Sequence, residues 1–252
     1  MKNKSVEFKG ALGETLSGRI DISEQEEVKG YAIFAHCFTC SKNLKVVGHI
    51  TTALAKNGIT TLRFDFTGLG NSQGDFANTN FSSNVEDLVA AAEFMEQEYE
   101  APCMLVGHSL GGAAVIHAAT QIDSVKAVAT IGAPADPKHV KENFSMNIDE
   151  IEQTGEAEVT LAGRKFKIKK QFLDDLKSTT MEDKIENLNR ALLILHAPLD
   201  KTVGIDNAAR LYQKAKHPKS FISLHEANHL LSDTTYSKYT GDLIAQWSKI
   251  YL

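Results

Sequence analysis

Short apolar runs alternate with amphipathic helical patterns along most of this chain. The apolar runs predict strands at residues 6–8, 16–22, 31–35, 59–64, 103–106, 125–131, 191–195 and 220–224. The helical patterns cover residues 43–56, 81–100 and 110–121, a segment from about Asp206, and residues 234–251. Strands that alternate with helices typically form a parallel sheet with helices on both faces. We therefore predict an α/β fold, mostly parallel, with an antiparallel hairpin formed by the first two strands.

Residues 138–190 interrupt this alternation. Of these 53 residues 21 are charged, and the pattern within them predicts only a small hairpin at residues 159–168, turning at Ala162–Gly163. We expect one domain over residues 1–252, with this segment inserted as a cap at about 138–190. The alternative is a solvated surface excursion. The apolar residues of the segment favour a cap because they need a surface to cover; they are Phe144, Met146, Ile148, Ile151, Phe166, Ile168, Phe172, Leu173 and Leu176.

The run Gly107-His108-Ser109-Leu110-Gly111 matches the pattern G-x-S-x-G. It follows an apolar strand and opens an alanine-rich helix, which is the context this motif requires. A sharp turn from strand to helix lifts the serine oxygen clear of the sheet and sets it at a helix N-terminus. We predict that Ser109 is a nucleophile, whereas the alternative role is a helix cap.

A serine hydroxyl needs a base to take its proton and a carboxylate to orient that base. Asp200 follows the strand at 191–195, and His229 follows the strand at 220–224. The order Ser109, Asp200, His229 is typical of a catalytic triad beyond the carboxyl ends of parallel strands. Asp206 and His225 are the rival acid and base.

Acyl transfer also needs backbone donors for the developing oxyanion. The first is the N–H of Leu110, the residue after the nucleophile. The second is expected from the loop at residues 36–43, with the N–H of Phe38 as the choice and that of Cys37 as the alternative.

These motifs resemble the α/β-hydrolase superfamily over the whole chain. His36-Cys37-Phe38-Thr39 resembles the His-Gly-Phe-Thr loop of cinnamoyl and feruloyl esterases, with Cys37 where many relatives have glycine. The run from Phe64 to Ser72 resembles the superfamily's D-x-x-G-x-G-x-S loop. Residues 36–43, 63–70, 107–113 and 131–134 are similar to the hydrolase half of bacterial α/β-hydrolase/OsmC fusion proteins. The likeness covers the hydrolase portion, up to Leu252, and so implies hydrolase activity without the OsmC redox activity.

A second motif, His225-Glu226-Ala227-Asn228-His229, matches the zinc-peptidase pattern H-E-x-x-H. That pattern needs a helix to put both imidazoles on one face, together with a third ligand. Here it directly follows a strand, and the triad accounts for His229 without a metal. A zinc peptidase therefore stands as an alternative function, beside a ligand sensor that keeps the fold without catalysis.

Cys37-Phe38-Thr39-Cys40 is a C-x-x-C motif between a strand and a helix. It can indicate a thioredoxin-like thiol pair. Structural or bystander cysteines are the favoured interpretation, because the chain is far longer than a thioredoxin unit. A redox effect on the loop at 36–43 is the alternative. Cys103, inside a strand, is expected in the core.

The net charge of −5 argues against nucleic-acid or anionic-membrane partners. Three cysteines do not indicate a disulfide framework, and the N-terminal ten residues lack the apolar core of a secretory signal. We expect a cytoplasmic serine carboxylesterase that acts on small or medium acyl esters through an acyl-enzyme. Its partner is a small-molecule ester, and neither a cofactor nor a metal is implied.

Overall fold

The computed structural model describes residues 2–161 and 163–252. Eight strands of these residues form one sheet in the order β1-β2-β4-β3-β5-β6-β9-β10. The strands are β1 (Asn3–Lys9), β2 (Thr15–Asp21), β3 (Gly30–Ala35), β4 (Ile59–Phe64), β5 (Met104–His108), β6 (Ala127–Ile131), β9 (Ala191–His196) and β10 (Lys219–Ser223). The β1–β2 and β2–β4 pairs are antiparallel, and all other pairs are parallel. This confirms the predicted α/β fold and its early hairpin.

Helices cover both faces of the sheet, because the central strands carry apolar side chains on both sides. Within β5, Leu105 belongs to one apolar cluster, whereas Met104 and Val106 belong to the cluster on the opposite face. Helices α2, α3 and α7 contribute to the first cluster, and α1 and α8 to the second. Their bounds are α1 (Lys45–Lys56), α2 (Phe81–Glu98), α3 (Leu110–Ala119), α7 (Asp206–Lys214) and α8 (Thr234–Ser248).

Helix α2 begins at Phe81, where the sequence pattern predicts its start. Asn80 is the N-cap: its side chain accepts a hydrogen bond from the Ser83 N–H, and the Ser83 hydroxyl accepts one from the Asn80 N–H. This reciprocal pair is a capping box. It satisfies backbone N–H groups that the first turn of α2 would otherwise leave without a partner.

The register places the carboxyl ends of four parallel strands at one level. Ala35 lies opposite Gly107, His108 opposite Ile131, and Ile131 opposite Leu195. Loops that leave these ends therefore meet at one edge of the sheet, where open α/β sheets place their sites.

The segment between β6 and β9 folds as an insertion of short elements. It contains a 3₁₀ segment (Pro137–Asn147), α4 (Ile148–Thr154), the hairpin β7 (Glu156–Leu161) and β8 (Arg164–Lys169), α5 (Lys170–Ser178) and α6 (Glu182–Glu186). Leu161 pairs with Arg164 in this hairpin. Ala162, at the predicted turn, lies outside the described residues. Most of the insertion's apolar side chains join the cluster that also holds α2 and α3. The exception is Met146, which is 96% exposed, so the expectation that it covers a surface was wrong.

Across the part of the chain that the structure describes, no helix combines the length and the apolar character needed to cross a bilayer.

Candidate active site

Ser109 occupies a sharp turn between β5 and α3. Its φ of 57° and ψ of −126° are rare for a residue with a side chain. The turn is crowded, since a Cβ added at Gly107 would lie 2.3 Å from the Gly111 carbonyl oxygen. A Cβ at Gly111 would lie 2.5 Å from the carbonyl oxygens of Ala35 and His36. Both glycines of the motif are therefore needed for the chain to turn here.

Three side chains from three loops meet at this turn. His229 Nε2 lies 3.0 Å from Ser109 Oγ, and His229 Nδ1 lies 2.7 Å from Asp200 Oδ2. The other carboxylate oxygen of Asp200 accepts hydrogen bonds from the Thr202 and Val203 N–H groups, at 2.8 and 2.9 Å. The structure thus brings together the serine, histidine and aspartate singled out from the sequence, in a chain of hydrogen bonds.

Burial alone would raise the pKa of Asp200. The hydrogen bond from His229 and those from the Val203 and Thr202 N–H groups outweigh it and hold the pKa of Asp200 below its ordinary value. Asp200 is therefore an anion at neutral pH, and His229 Nδ1 must donate the proton that they share. That tautomer leaves His229 Nε2 free to accept a proton from the Ser109 hydroxyl.

The rival acid and base lie outside this arrangement. His225 is exposed in a turn, and Asp206 is exposed in the first turn of α7. The H-E-x-x-H run lies in the turn and loop after β10, so the helix that a zinc-peptidase site needs is not formed. Residues 2–161 and 163–252 hold no group of three or more His, Cys, Asp or Glu side chains placed for a metal ion.

The candidate oxyanion donors are the backbone N–H groups of Leu110, which follows Ser109, and of Phe38 or Cys37 in the loop at residues 36–43. Leu110 is the first residue of α3, and the first N–H groups of a helix have no partner within it. Residues 37–40 form a tight turn in which the Cys40 N–H donates to the Cys37 carbonyl at 3.1 Å, which leaves the Phe38 N–H outside the turn's own bond. Leu110, Cys37 and Phe38 line one small pocket, with a free volume of about 10 Å³.

A buried ion pair anchors the end of the loop at residues 36–43. Lys42 Nζ lies 2.5 Å from Asp65 Oδ2, and the Lys42 N–H donates to Asp65 Oδ1 at 2.7 Å. The Lys42 carbonyl accepts from Arg63, which is itself paired with Asp21 at 2.7 Å. Sequence reasoning missed this network. Its only signal was charged residues inside and just after an otherwise apolar strand.

Three buried histidines at the ends of neighbouring strands also hold the loops, and the sequence did not indicate this role. His108 Nε2 donates to the His229 carbonyl at 2.7 Å, and His196 Nε2 to the Val203 carbonyl at 2.8 Å. His36 Nδ1 donates to the Cys37 carbonyl at 2.8 Å. Burial lowers the pKa of each of these imidazoles, that of His108 to about 4, so all three are neutral at neutral pH.

The insertion reaches the loop at 36–43 through aromatic rings. The Phe38 ring lies 5.7 Å from that of Phe172 in α5 and 5.7 Å from that of Phe76, and Phe76 lies 4.9 Å from Phe166 in β8. Arg164 donates a hydrogen bond to the Thr39 carbonyl. The insertion therefore packs against the loop that carries one of the considered donors.

Cys37 and Cys40 are joined by a disulfide, and Cys103 is a free thiol. The C-x-x-C motif thus closes the turn that contains Phe38.

This chain is similar over its full length to a solved esterase domain. The esterase domain of a Rhodothermus marinus protein is 47% identical, with 100% of this chain and 99% of that chain covered and a TM-score of 0.81. The family described as serine aminopeptidase, S33, matches residues 27–148.

Two more distant proteins are also similar to this chain. Est1E from Butyrivibrio proteoclasticus, solved with ferulic acid bound, is 19% identical with 98% of each chain covered and a TM-score of 0.80. Protein YfhR of Escherichia coli O157:H7, described as uncharacterized, is 22% identical over 242 residues, which is 95% of this chain and 77% of that protein.

Proposed function

Because this chain belongs to the α/β-hydrolase superfamily, we propose that it is a serine carboxylesterase with Ser109, His229 and Asp200 as its catalytic triad. The observation that carries the proposal is the continuous hydrogen-bond chain from Ser109 Oγ through the His229 ring to Asp200, with heavy-atom distances of 3.0 and 2.7 Å. Both distances are within reach of direct proton transfer.

In the first half of the reaction, Ser109 Oγ attacks the ester carbonyl carbon while His229 Nε2 takes the hydroxyl proton. The Leu110 and Phe38 N–H groups hold the negative oxygen of the tetrahedral intermediate. When the intermediate collapses, the bond to the alcohol oxygen breaks and His229 gives its proton to the leaving alcohol. The product is an acyl group esterified to Ser109.

In the second half, water attacks the acyl carbon and His229 takes one of its protons. Collapse releases the acid and returns the proton to Ser109 Oγ. Throughout, the Asp200 carboxylate fixes the imidazole tautomer and stabilises the imidazolium. The His108 bond to the His229 carbonyl supports the same orientation from the backbone side.

The pocket beside the donors favours small or medium acyl groups. It is lined largely by apolar atoms, and its free volume of about 10 Å³ is close to what one water molecule needs. Phe38 lines this pocket, and its ring packs against those of Phe76 and Phe172, so longer or aromatic acyl groups require the Phe38 ring to move. Since Est1E was solved with ferulic acid, methyl ferulate is a sensible aryl substrate to test.

The test combines a substrate series with Ser109→Ala. The unmodified protein should hydrolyse p-nitrophenyl acetate and butyrate, and a fluorophosphonate should label Ser109. In a serine protease where the series has been measured, removing the serine lowers turnover on the order of a million-fold. Ser109→Ala should show a loss on that scale, take up no label and unfold at an unchanged temperature. Labelling at another residue, or retained turnover, would contradict the assignment.

Two controls separate the alternative functions. A zinc peptidase at His225, Glu226 and His229 would lose activity with a chelator, regain it with zinc and cleave aminoacyl p-nitroanilides in preference to esters. A ligand sensor would show neither labelling nor turnover of any ester. We expect ester turnover that a chelator does not change.

A further inference from the structure

The turn at residues 37–40 holds a conformation that its sequence does not favour. Thr39 has a φ of 58°, in the left-handed region that β-branched residues rarely adopt. Such a residue persists only where its surroundings determine the backbone. Thr39 is also buried, so its conformation cannot relax freely towards solvent.

Covalent and polar contacts hold this turn from both ends. The Cys37–Cys40 disulfide closes it, and the Cys40 N–H donates to the Cys37 carbonyl. Arg164 of the insertion binds the carbonyl of Thr39 at the centre of the turn. The disulfide is the covalent contact among these, and a reductant can open it without any mutation.

Phe38 lies between the two bonded cysteines, so the closure of the turn sets the direction of its N–H. An oxyanion donor is effective only when it lies 2.7–3.1 Å from where the charge develops, and removing one such donor costs about 100- to 1,000-fold in kcat. A turn that relaxes around Thr39 would rotate the peptide on either side and misdirect this donor. Ser109, His229 and Asp200 are held by other loops and would be unaffected.

We propose that the Cys37–Cys40 disulfide positions the Phe38 N–H as an oxyanion donor, so that turnover at Ser109 depends on the bond being closed. Cys37 and Cys40 are then positioning residues. The inference rests on the proposed esterase function, and it assigns the C-x-x-C motif a role beyond that of a structural or bystander pair.

A dithiol supplies the electrons that open the bond. Its thiolate attacks Sγ of Cys40, a partly exposed residue, rather than Sγ of the buried Cys37; the disulfide breaks, and a mixed disulfide forms. The second thiol of the reductant then attacks the reductant's sulfur in the mixed disulfide. This forms a cyclic disulfide and releases Cys40 as a thiol. In balance, two electrons and two protons pass to the protein, which gains two thiols, while the dithiol becomes a cyclic disulfide.

The experiment compares the closed and reduced forms of the full chain in a Cys103→Ser background. This background removes the remaining thiol, which precedes β5 at the opposite end of the strand from Ser109. Thiol titration of the denatured protein should give no thiols before and two after treatment with dithiothreitol. With p-nitrophenyl acetate, we expect reduction to lower kcat by about 10- to 100-fold, because a misdirected donor costs less than a missing one. KM should change less than threefold, and reoxidation should restore kcat.

Cys37→Ser and Cys40→Ser, measured in the same background, should have the low kcat of the reduced form and no response to dithiothreitol. Fluorophosphonate labelling of Ser109 should be slower in both but should still go to completion, and circular dichroism should show the fold retained. An equal kcat in both redox states, or a change confined to KM, would overturn the proposal. Two thiols in the untreated background protein would overturn it as well. Absence of ester turnover in either state would instead reject the esterase function itself.

Discussion

His229 is held by its backbone as well as by its ring. The carbonyl of His229 accepts from His108, whose own ring lies 5.1 Å from the His229 ring, while the two ring nitrogens of His229 face Asp200 and Ser109. This third contact limits movement of the whole His229 residue. In the proposed triad, it would help to keep one ring nitrogen towards Ser109 and the other towards Asp200.

Replacing His229 and replacing His225 should have very different effects on ester turnover. His229→Ala should abolish ester turnover, since no other imidazole lies within hydrogen-bond reach of Ser109 in the described residues. His225→Ala is the matched control four residues away, and most of the activity should remain because His225 is exposed outside the site. Steady-state kinetics with p-nitrophenyl butyrate would check both. The opposite result would return the zinc motif to consideration.

Removing the backbone support of His229 should weaken catalysis without abolishing it. His108→Phe keeps an aromatic ring but leaves the His229 carbonyl without its donor, at a cost of about 1–3 kcal/mol. We expect kcat to fall by roughly tenfold or more, because small misplacements of a catalytic group are costly. KM should change little. An unchanged kcat together with a lower unfolding temperature would show that the contact serves stability alone.

At the scale of elements, the insertion between β6 and β9 and the loop at 36–43 form one packed unit. Phe172 of α5 contacts Phe38, and Phe144 of the 3₁₀ segment contacts Phe172, with ring centroids 6.2 Å apart. These side chains belong to the apolar cluster that α2 and α3 share, so the insertion is part of the main core on that face. We propose that it acts as a cap that shapes the acyl pocket.

Replacing one of these aromatic rings by a smaller side chain should change which acyl chains the pocket accepts. Phe172→Leu should raise kcat/KM for p-nitrophenyl octanoate relative to the acetate, because it opens space beside Phe38, and each buried methylene is worth about 0.8 kcal/mol. Met146→Ala is the matched control in the same insertion, where the side chain is 96% exposed, and should leave the ratio unchanged. The rate of labelling by a small fluorophosphonate should be similar in both variants. An unaltered chain-length profile in Phe172→Leu would contradict the cap.

For the whole molecule, buried neutral histidines link the stability of the fold to pH. Burial, together with the charge of Lys184, lowers the pKa of His117 to about 4, and burial lowers the pKa of His108 to about 4 as well. The unfolded chain binds these protons near pH 6.5 and the folded chain only near pH 4. The folded state therefore loses stability as pH falls from about 6.5 to 4, at up to about 1.4 kcal/mol per pH unit for each histidine.

His117→Leu tests this link without touching the site. His117 lies on α3 against Phe81, and its buried Nε2 has no hydrogen-bond partner among the described residues, so an apolar replacement removes little. We expect the free energy of unfolding by urea to depend less on pH between 6.5 and 4 in this variant, while the two proteins keep parallel profiles above pH 7. An identical pH dependence in the variant and the unmodified protein would exclude His117 as a contributor.

Local patterns in the sequence were enough to predict the α/β class, the early hairpin and nearly every element of the main sheet. These follow from local periodicity and burial, which each segment carries alone. The sequence also predicted the G-x-S-x-G turn and the meeting of Ser109, Asp200 and His229, because the carboxyl ends of parallel strands share one edge.

Local patterns could not predict several contacts that hold the loops at that edge. The bond from His108 to a residue 121 positions away and the buried Lys42–Asp65 pair both depend on how distant segments are placed against one another. So does the packing of Phe172 on Phe38, since it joins an insertion to a loop that precedes α1. Hydrophobic periodicity indicates which side of a single segment faces the core. These contacts depend instead on the tertiary arrangement, which periodicity does not describe.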